Sequence, residues 1–234
     1  MTDANIETSE GAERPVPGLL EAHSLSRVYR TLSDEVRVFE NVELSIKPGT
    51  AVAIIGQSGR GKTTLLNILS GLDRPTSGEV LYNGSRIDDL DEVSLSDFRN
   101  RNVGFIFQHH YLLEDFTALE NVLVPIRIAG RKINSAAVSR AAELLDNVGL
   151  AGRHTHYPDQ LSGGERQRVA IIRALIHDPR VIFADEPTGS LDRRNSAMIE
   201  ELLWDLKHKY NKTFVIATHN LEMARKCDHV IDLG

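Results

Sequence analysis

The chain has 234 residues, of which 41% are apolar and 26% are charged, so it is long enough to bury a substantial core as one large domain or two small lobes. Its net charge of −6 argues against a nucleic-acid partner, because such proteins usually carry a basic face. The single cysteine, Cys227, excludes an internal disulfide and a cysteine-rich zinc site, and no apolar run reaches the roughly 18 residues that span a bilayer.

The first half of the chain predicts a tail followed by several strands. Residues 1–18 combine acids, proline and glycine without an apolar segment, which predicts a disordered tail and argues against a signal peptide. Hydrophobic periodicity then predicts strands over 19–29, 42–46, 50–55 and 103–107, and a helix over 62–69. The dipeptide Asn83-Gly84 predicts a hairpin turn, because both residues tolerate positive φ angles.

The second half alternates helices with strands. Val138, Ala141, Leu145 and Val148 share one face of a predicted helix over 135–148, and Gly149 is the expected C-cap. A strand over 181–184, a helix with apolar residues at 199, 202, 203 and 206, and a strand over 214–217 follow. This alternation indicates a parallel α/β core, with a mostly helical insertion over about 89–159.

A phosphate-binding loop is the strongest motif in the sequence. Residues 56–63 match the pattern G-x-x-x-x-G-K-[ST] between an apolar strand and a helix, and a glycine-rich turn without a ligand is the alternative interpretation. Glycines let backbone N–H groups close around a phosphate, and the helix N-terminus adds positive potential. We expect Lys62 to reach the β- and γ-phosphates and the Thr63 hydroxyl to bind Mg²⁺. The predicted nucleotide contacts in this segment are Gly56, Gln57, Ser58, Gly59, Arg60, Gly61, Lys62, Thr63 and Thr64.

An apolar strand ends in two acidic residues, Asp185 and Glu186. Ligands of open α/β sheets bind at the carboxyl ends of the strands. We therefore expect Asp185 to hold Mg²⁺, directly or through water, and Glu186 to polarise the attacking water as general base. The pair is a weak signal by itself and gains its weight from the phosphate loop upstream.

The segment over 161–168 reads Leu-Ser-Gly-Gly-Glu-Arg-Gln-Arg. Ser162 and Glu165 have the S-x-x-E spacing of a capping box, so an ordinary capped helix is one interpretation. Two glycines in a first turn weaken a helix, however, and they favour a site where a ligand approaches the backbone. An anion there would meet free N–H groups, the Ser162 hydroxyl and the helix dipole.

The order of these motifs resembles that of an ABC-transporter nucleotide-binding subunit. The ordered set comprises the phosphate loop, Gln108 at a strand end, the 161–168 segment, the acidic pair, Ser190-Leu191-Asp192 and His219. The resemblance covers residues 19–234 and implies an ATPase that uses ATP and Mg²⁺. It also implies a P-loop NTPase core with a parallel sheet, an N-terminal antiparallel β-subdomain and an inserted α-helical subdomain over about 89–165.

The resemblance assigns roles around the nucleotide by position. Tyr29 matches an aromatic residue that stacks on adenine, although ordinary strand packing is the alternative. Gln108 matches the residue that contacts Mg²⁺ or the water and senses the membrane partner. His219 matches a switch histidine that contacts the γ-phosphate, where a lone histidine would otherwise be structural. The implied catalytic residues are Lys62, Gln108, Glu186 and His219, and the implied metal ligands are Thr63, Gln108 and Asp185.

Other matched residues imply a dimer. Ser162, Gly163 and Gly164 match the signature that binds the γ-phosphate of ATP held by another subunit, and Asp192 matches the loop that crosses the dimer interface. Two copies of the chain are then expected to close on two ATP molecules, hydrolyse them and open. Two residues depart from the family pattern. Arg60 replaces a residue that is usually small, and Asn220 follows the histidine where aspartate is common.

Membrane partners of this family dock near Gln108–Val122, and the stretch from Phe105 to Val122 is similar to that of the lipoprotein-releasing ATPases of Gram-negative bacteria. The resemblance implies a peripheral subunit on the cytoplasmic face of the inner membrane, paired with separate transmembrane permease subunits. Macrolide exporters and cell-division ATPases belong to the same subfamily and are alternatives. A soluble regulatory ATPase that acts on a cytosolic complex is the alternative from a different functional class.

Overall fold

The computed structural model describes residues 18–30, 34–57 and 59–234. Its strands are β1 (Leu20–Arg30), β2 (Glu35–Ile46), β3 (Ala51–Ile55), β4 (Ser77–Tyr82), β5 (Ser85–Arg86), β6 (Val103–Phe107), β7 (Val181–Asp185), β8 (Thr213–Ala217) and β9 (His229–Asp232). Its helices are α1 (Lys62–Leu69), α2 (Glu92–Asn102), α3 (Ala118–Ile128), α4 (Ser135–Asn147), α5 (Gly163–Leu175), α6 (Arg193–Tyr210) and α7 (Leu221–Arg225), with a short 3₁₀ helix at Pro158–Gln160. The tail predicted over 1–18 lies outside the described residues apart from Gly18, as does Ser58. Within the described ranges, no helix combines the length and the apolar character needed to cross a membrane.

The first sheet is antiparallel, with strand order β2-β1-β4-β5. The β4–β5 turn has Asn83 at φ 49° and Gly84 at φ 75°, so the predicted hairpin is confirmed. Strand β2 begins at Glu35 rather than at the predicted Val42. The β1–β2 register is interrupted near Leu25 and Arg27, and such bulges break the strict alternation on which a strand prediction depends.

The second sheet is parallel, with strand order β6-β7-β8-β3-β9. Alternate residues of β7 pack into different hydrophobic clusters: Val181 and Phe183 lie with β1 and α1, whereas Ile182 and Ala184 lie with α5 and α6. Both faces of this sheet are therefore buried, which explains why its strands are continuous apolar runs in the sequence. The predicted fold class, a parallel α/β core beside an antiparallel β-sheet, is confirmed.

The stretch over 89–165 contains helices α2, α3 and α4, but it also contains β6, which pairs with β7 in the parallel sheet. Its assignment as a separate helical subdomain stays a prediction. Helix α4 buries Ala141, Leu144 and Leu145. Val138, which the sequence places on the same helical face, lies in the first turn of α4 and is 36% exposed.

Candidate nucleotide-binding site

A cavity of about 550 Å³ opens where the carboxyl ends of the parallel strands meet the antiparallel sheet. Every lining residue except Val38 is one that the sequence predicts to contact nucleotide or metal or to act in catalysis. The lining residues are Tyr29, Val38, Gly59, Gly61, Lys62, Thr63, Thr64, Gln108, Asp185, Glu186 and His219. Residues from both sheets and from the start of α1 are thus brought to one place by the fold.

The loop before α1 takes backbone conformations that favour glycine. Gly56, Gly59 and Gly61 have φ angles of 149°, 82° and 89°. A Cβ atom on Gly59 would point into open space, whereas one on Gly61 would collide with Cγ1 of Val38. Gly59 is therefore favoured by its backbone angle alone, and Gly61 by its angle and by the close approach of β2. The open space at this cradle fits a phosphate.

Lys62 is buried under this loop. Its Nζ donates hydrogen bonds to the carbonyl oxygens of Gly56, at 2.9 Å, and of Gln57, at 3.2 Å. Among the described residues, no carboxylate lies within ion-pair distance of this ammonium group, so its charge stays available to an anionic ligand. Gln57 and Arg60 are exposed beside the cavity rather than lining it, and Thr64 is half-buried in the lining.

Thr63 and Asp185 together form a cluster of oxygen atoms. The Thr63 hydroxyl donates to both carboxylate oxygens of Asp185, at 3.2 and 3.0 Å. Burial raises the pKa of Asp185 and the neighbouring charge of Glu186 adds to this, while the Thr63 hydrogen bond acts in the opposite direction. Hydroxyl and carboxylate oxygens are ligands that Mg²⁺ prefers, so this pair fits the predicted metal. The side chain of Gln108 lines the same cavity and packs against Gly189.

The second acid, Glu186, is held by contacts from β8 and the residues that follow it. Its carboxylate lies 2.9 Å from Nδ1 of His219 and accepts a hydrogen bond of 3.3 Å from the Thr218 hydroxyl. Its backbone φ is +45°, and its N–H donates to the carbonyl oxygen of Ala217 at 2.8 Å. Such a left-handed conformation costs on the order of 1 kcal/mol in a non-glycine residue. This turn lets two consecutive acids face one cavity, although successive residues of a strand point in opposite directions.

Tyr29 lies at the edge of the cavity and is 42% exposed. The Arg27 guanidinium lies over its ring, 4.4 Å from the ring centre, and its hydroxyl donates to Asp73 at 3.4 Å. The ring is thus presented at the end of β1 with its orientation supported by two neighbours. Stacking on adenine stays a prediction.

The predicted signature residues lie outside this cavity, at the start of α5. Ser162 is the N-cap: its Oγ accepts from the Glu165 N–H at 3.3 Å, and the Glu165 carboxylate accepts from the Ser162 N–H at 2.8 Å. The predicted capping box is therefore present. The Ser162 hydrogen bonds lower the pKa of Glu165. A Cβ on Gly163 would lie 3.5 Å from Cδ2 of Leu191, an ordinary van der Waals distance.

Gly164 brings α5 against the start of α6. A Cβ on Gly164 would approach Oδ1 of Asn195 to 2.6 Å, so the glycine also has a packing role. Asp192 caps α6, and its carboxylate accepts from the backbone N–H of Asn195 at 2.9 Å and from its side-chain amide at 2.6 Å. The signature and Asp192 thus lie together, apart from the residues that line the cavity.

A family model described as ABC transporter matches residues 39–189. The chain is also 47% identical over 213 residues to the lipoprotein-releasing system ATP-binding protein LolD of Cytophaga hutchinsonii, an alignment that covers 91% of this chain and 95% of that protein. This chain belongs to the ABC transporter family. Like other ATP-binding subunits of that family, it is an ATPase.

Solved ABC cassettes share its fold. A dimeric post-hydrolysis state of the ATP-binding cassette MJ0796 bound to ADP and Pi matches with a TM-score of 0.82 and 39% identity, covering 91% of this chain and 93% of that one. A second dimeric structure of MJ0796, a bacterial ABC transporter cassette, matches with a TM-score of 0.81 and 38% identity at the same coverage.

The sequence reasoning missed Gln167, a fully buried residue of this ABC ATPase. Its Nε2 donates to the carbonyl oxygen of Pro187 at 2.7 Å and, more weakly, to that of Phe107 at 3.4 Å. Gln167 therefore joins α5 to the residue after Glu186 and to the residue before Gln108. Its spacing of four residues from the buried Ile171 places it on the core face of the helix, and that signal could have identified it.

Proposed function

We propose that this ATPase drives the release of lipoproteins from the inner membrane, as the peripheral cytoplasmic subunit of a complex with a separate transmembrane permease. The observation that carries the proposal is the 47% identity to LolD, which extends over 91% of this chain and 95% of that protein. A similarity of this extent includes the stretch from Gln108 to Val122, where we expect the permease to dock.

The residues around the cavity support an assignment of roles in ATP binding. Lys62 is held across the glycine loop with its charge free for the β- and γ-phosphates. Thr63 and Asp185 would hold Mg²⁺, with Gln108 beside them. The chemistry that Mg²⁺ supplies when bound is neutralisation of charge on the phosphates. Tyr29, at the edge of the cavity, would stack on the adenine.

Glu186 is the general base in this proposal. Its side chain is 16% exposed, and contacts with Thr218 and His219 hold the carboxylate at the cavity. It would accept a proton from the attacking water, and that water must lie within hydrogen-bond distance of the carboxylate. His219 has a side chain that is 73% exposed, at the open side of the cavity. We assign it to the γ-phosphate.

A second copy of the chain completes each site. Ser162, Gly163 and Gly164 lie outside the cavity of their own chain, at the N-terminus of a helix of 13 residues, where free N–H groups favour an anion. The similarity to dimeric cassettes supports an arrangement in which this signature faces the ATP bound by the partner. Asp192, which caps the adjoining helix, would lie at the same interface.

The permease contact at Gln108–Val122 is expected to extend into an adjoining groove of about 310 Å³ between α2, β6, α3 and α5. Arg173 lines this groove and donates to the carbonyl oxygens of His110 and Tyr111. Arg99, Arg173 and His177 are its ionisable lining residues, and no acid lines it within the described part of the chain. Nearby apolar side chains are exposed, among them Tyr111 at 65% and Ile128 at 71%. We expect the occupant to be a short cytoplasmic segment of the permease that presents apolar and acidic side chains.

Affinity purification of a trapped complex tests the function. Glu186→Gln should keep ATP binding and slow hydrolysis, so that the closed complex accumulates, whereas Glu143→Gln changes an exposed acid of α4 and serves as the matched control. With ATP, the Glu186→Gln protein is expected to retain a permease with large periplasmic domains and bound lipoproteins. In proteoliposomes, the native complex should release a lipoprotein on addition of ATP, and the Glu186→Gln complex should not.

Other outcomes of the purification would assign a different task. Recovery of a cell-division permease or of a macrolide exporter would keep the ATPase mechanism and replace lipoprotein release. Recovery of no membrane protein, from a variant that still dimerises with ATP, would favour a soluble regulatory ATPase.

A further inference from the structure

Asn220, which follows His219, faces a buried carboxylate. Glu200 on α6 is only 8% exposed and accepts a hydrogen bond of 2.9 Å from Nδ2 of Asn220. Lys226 supplies a second donor, with its Nζ 3.3 Å from the same carboxylate. A buried carboxylate needs such donors, because the loss of hydration is otherwise uncompensated.

Both the nitrogen and the oxygen of the Asn220 side-chain amide form hydrogen bonds. Its Oδ1 accepts from the backbone N–H groups of Glu222, at 2.9 Å, and Met223, at 3.2 Å, at the start of α7. Because those two groups are donors, the oxygen must face them and the nitrogen must face Glu200. Aspartate could cap α7 equally well, but it could not donate to Glu200. It would instead set two carboxylates against each other.

The backbone of Asn220 is also connected to the candidate catalytic residues. Its N–H donates to the Thr218 hydroxyl at 3.0 Å, and that hydroxyl donates to the Glu186 carboxylate at 3.3 Å. His219, between Thr218 and Asn220, lies 2.9 Å from the same carboxylate. The loop that carries His219 is thus held between Glu186 on one side and Glu200 on the other.

We propose that Glu200 and Asn220 form a matched pair of positioning residues that fixes the His219 loop and, through Thr218, the carboxylate of Glu186. The proposal rests on the roles of Glu186 and His219 given above. It explains why asparagine stands where aspartate is common after this histidine: an amide donates to the carboxylate on α6, whereas a second carboxylate would repel it. Neither residue lines the nucleotide cavity, so both act through the loop.

Exchange of the two functional groups tests the pairing. Asn220→Asp should lower kcat by about tenfold and leave KM for ATP within about twofold, because the phosphate loop is untouched while two facing carboxylates displace the His219 loop. Glu200→Gln should be mild, since the glutamine oxygen still accepts from Asn220. The double variant Glu200→Gln/Asn220→Asp should recover kcat to within about threefold of the native value, because the amide introduced on α6 can donate to the carboxylate introduced in the loop.

The controls separate positioning from stability and from the assigned catalytic roles. Glu201→Gln changes an exposed acid beside Glu200 and should hydrolyse ATP at the native rate. Native kcat in Asn220→Asp, or a double variant no better than Asn220→Asp, would overturn the pairing. If Asn220→Asp alone fails to fold, folding and activity of the double variant decide the same question. Native rates of hydrolysis by Glu186→Gln or His219→Ala would overturn those catalytic roles. Failure of the double variant to recover kcat would instead overturn only the pairing of Glu200 with Asn220.

Discussion

Replacing Gln167 with methionine would remove a buried amide that joins α5 to two loops of the site. The side chains are similar in volume, so the change removes donors without opening a large cavity. The carbonyl oxygen of Pro187 would lose a bond of 2.7 Å, and that of Phe107 a long bond of 3.4 Å. A buried acceptor left without a partner costs about 1–3 kcal/mol. Since Oε1 of Gln167 has no partner within the described residues, its removal offsets part of that cost, and we expect a loss of about 1–2 kcal/mol in the free energy of unfolding.

The same substitution should also slow catalysis. Pro187 follows Glu186 and Phe107 precedes Gln108. Loss of the two hydrogen bonds would therefore leave the backbone next to Glu186 and next to Gln108 less firmly held. We expect kcat to fall by about tenfold while the Kd for ATP stays within about twofold, because Gln167 contacts no part of the phosphate loop. Steady-state kinetics, nucleotide titration and urea unfolding measure the three quantities.

A variant of matched stability distinguishes positioning from general weakening. Ile171→Val, one turn along α5 and equally buried, should cost about 1 kcal/mol and leave kcat unchanged. If Gln167→Met and Ile171→Val lose the same stability and both keep native kcat, Gln167 only packs the helix and the reasoning is refuted.

Two further substitutions test the phosphate loop and the groove. Gly61→Ala should abolish the rise in Tm that ATP produces, because the φ of Gly61 is +89° and the added Cβ would meet Val38. The control Gly84→Ala also has a positive φ, +75°, but its Cβ would meet open space, so this variant should keep the rise in Tm. Equal rises in Tm for the two variants would contradict the role of Gly61 in ATP binding. Burial lowers the pKa of His177 to about 4. Because the unfolded chain then binds the proton more readily, His177 should destabilise the fold as pH falls from about 6.5 towards 4. The free energy of unfolding, measured with urea, should differ less between pH 7 and pH 4.5 in His177→Gln than in the native chain, by about 1 kcal/mol after allowance for solvent screening. An unchanged difference would contradict the lowered pKa of His177.

The sequence could predict most of the residues that meet at the cavity, because the phosphate loop is a strong local signal and gives weight to weaker ones such as the acidic pair. The motif at 56–63 sets the start of α1, and the structure begins that helix at Lys62. Gln108, Asp185 and His219 each lie at or just after the end of a parallel strand, and all such ends lie at one edge of the sheet. Their roles in catalysis stay predictions. The start of β2 could not be predicted, because bulges break its alternation.

The residues that were missed act through contacts distant in sequence. Gln167 reaches Phe107 and Pro187, and Glu200 reaches Asn220. Composition and periodicity indicate whether a side chain is buried, but they do not indicate which carbonyl or carboxylate it meets. Gly164 has a structural role that the sequence does not reveal. Two glycines at the start of a helix suggest a ligand, but in the structure Asn195 would also exclude a Cβ at Gly164.

Helix α5 contacts three functional regions within 13 residues, a length of about 20 Å. Its first turn carries the signature, its middle holds Gln167, and near its end Arg173 donates to the carbonyl oxygens of His110, at 2.7 Å, and Tyr111, at 2.6 Å. Burial lowers the pKa of Arg173. No carboxylate pairs with it among the described residues, so those two carbonyls fix its position in the groove. We propose that, if the permease docks at Gln108–Val122, a displacement of that stretch would reach Gln167 and the signature together, because α5 contacts all three.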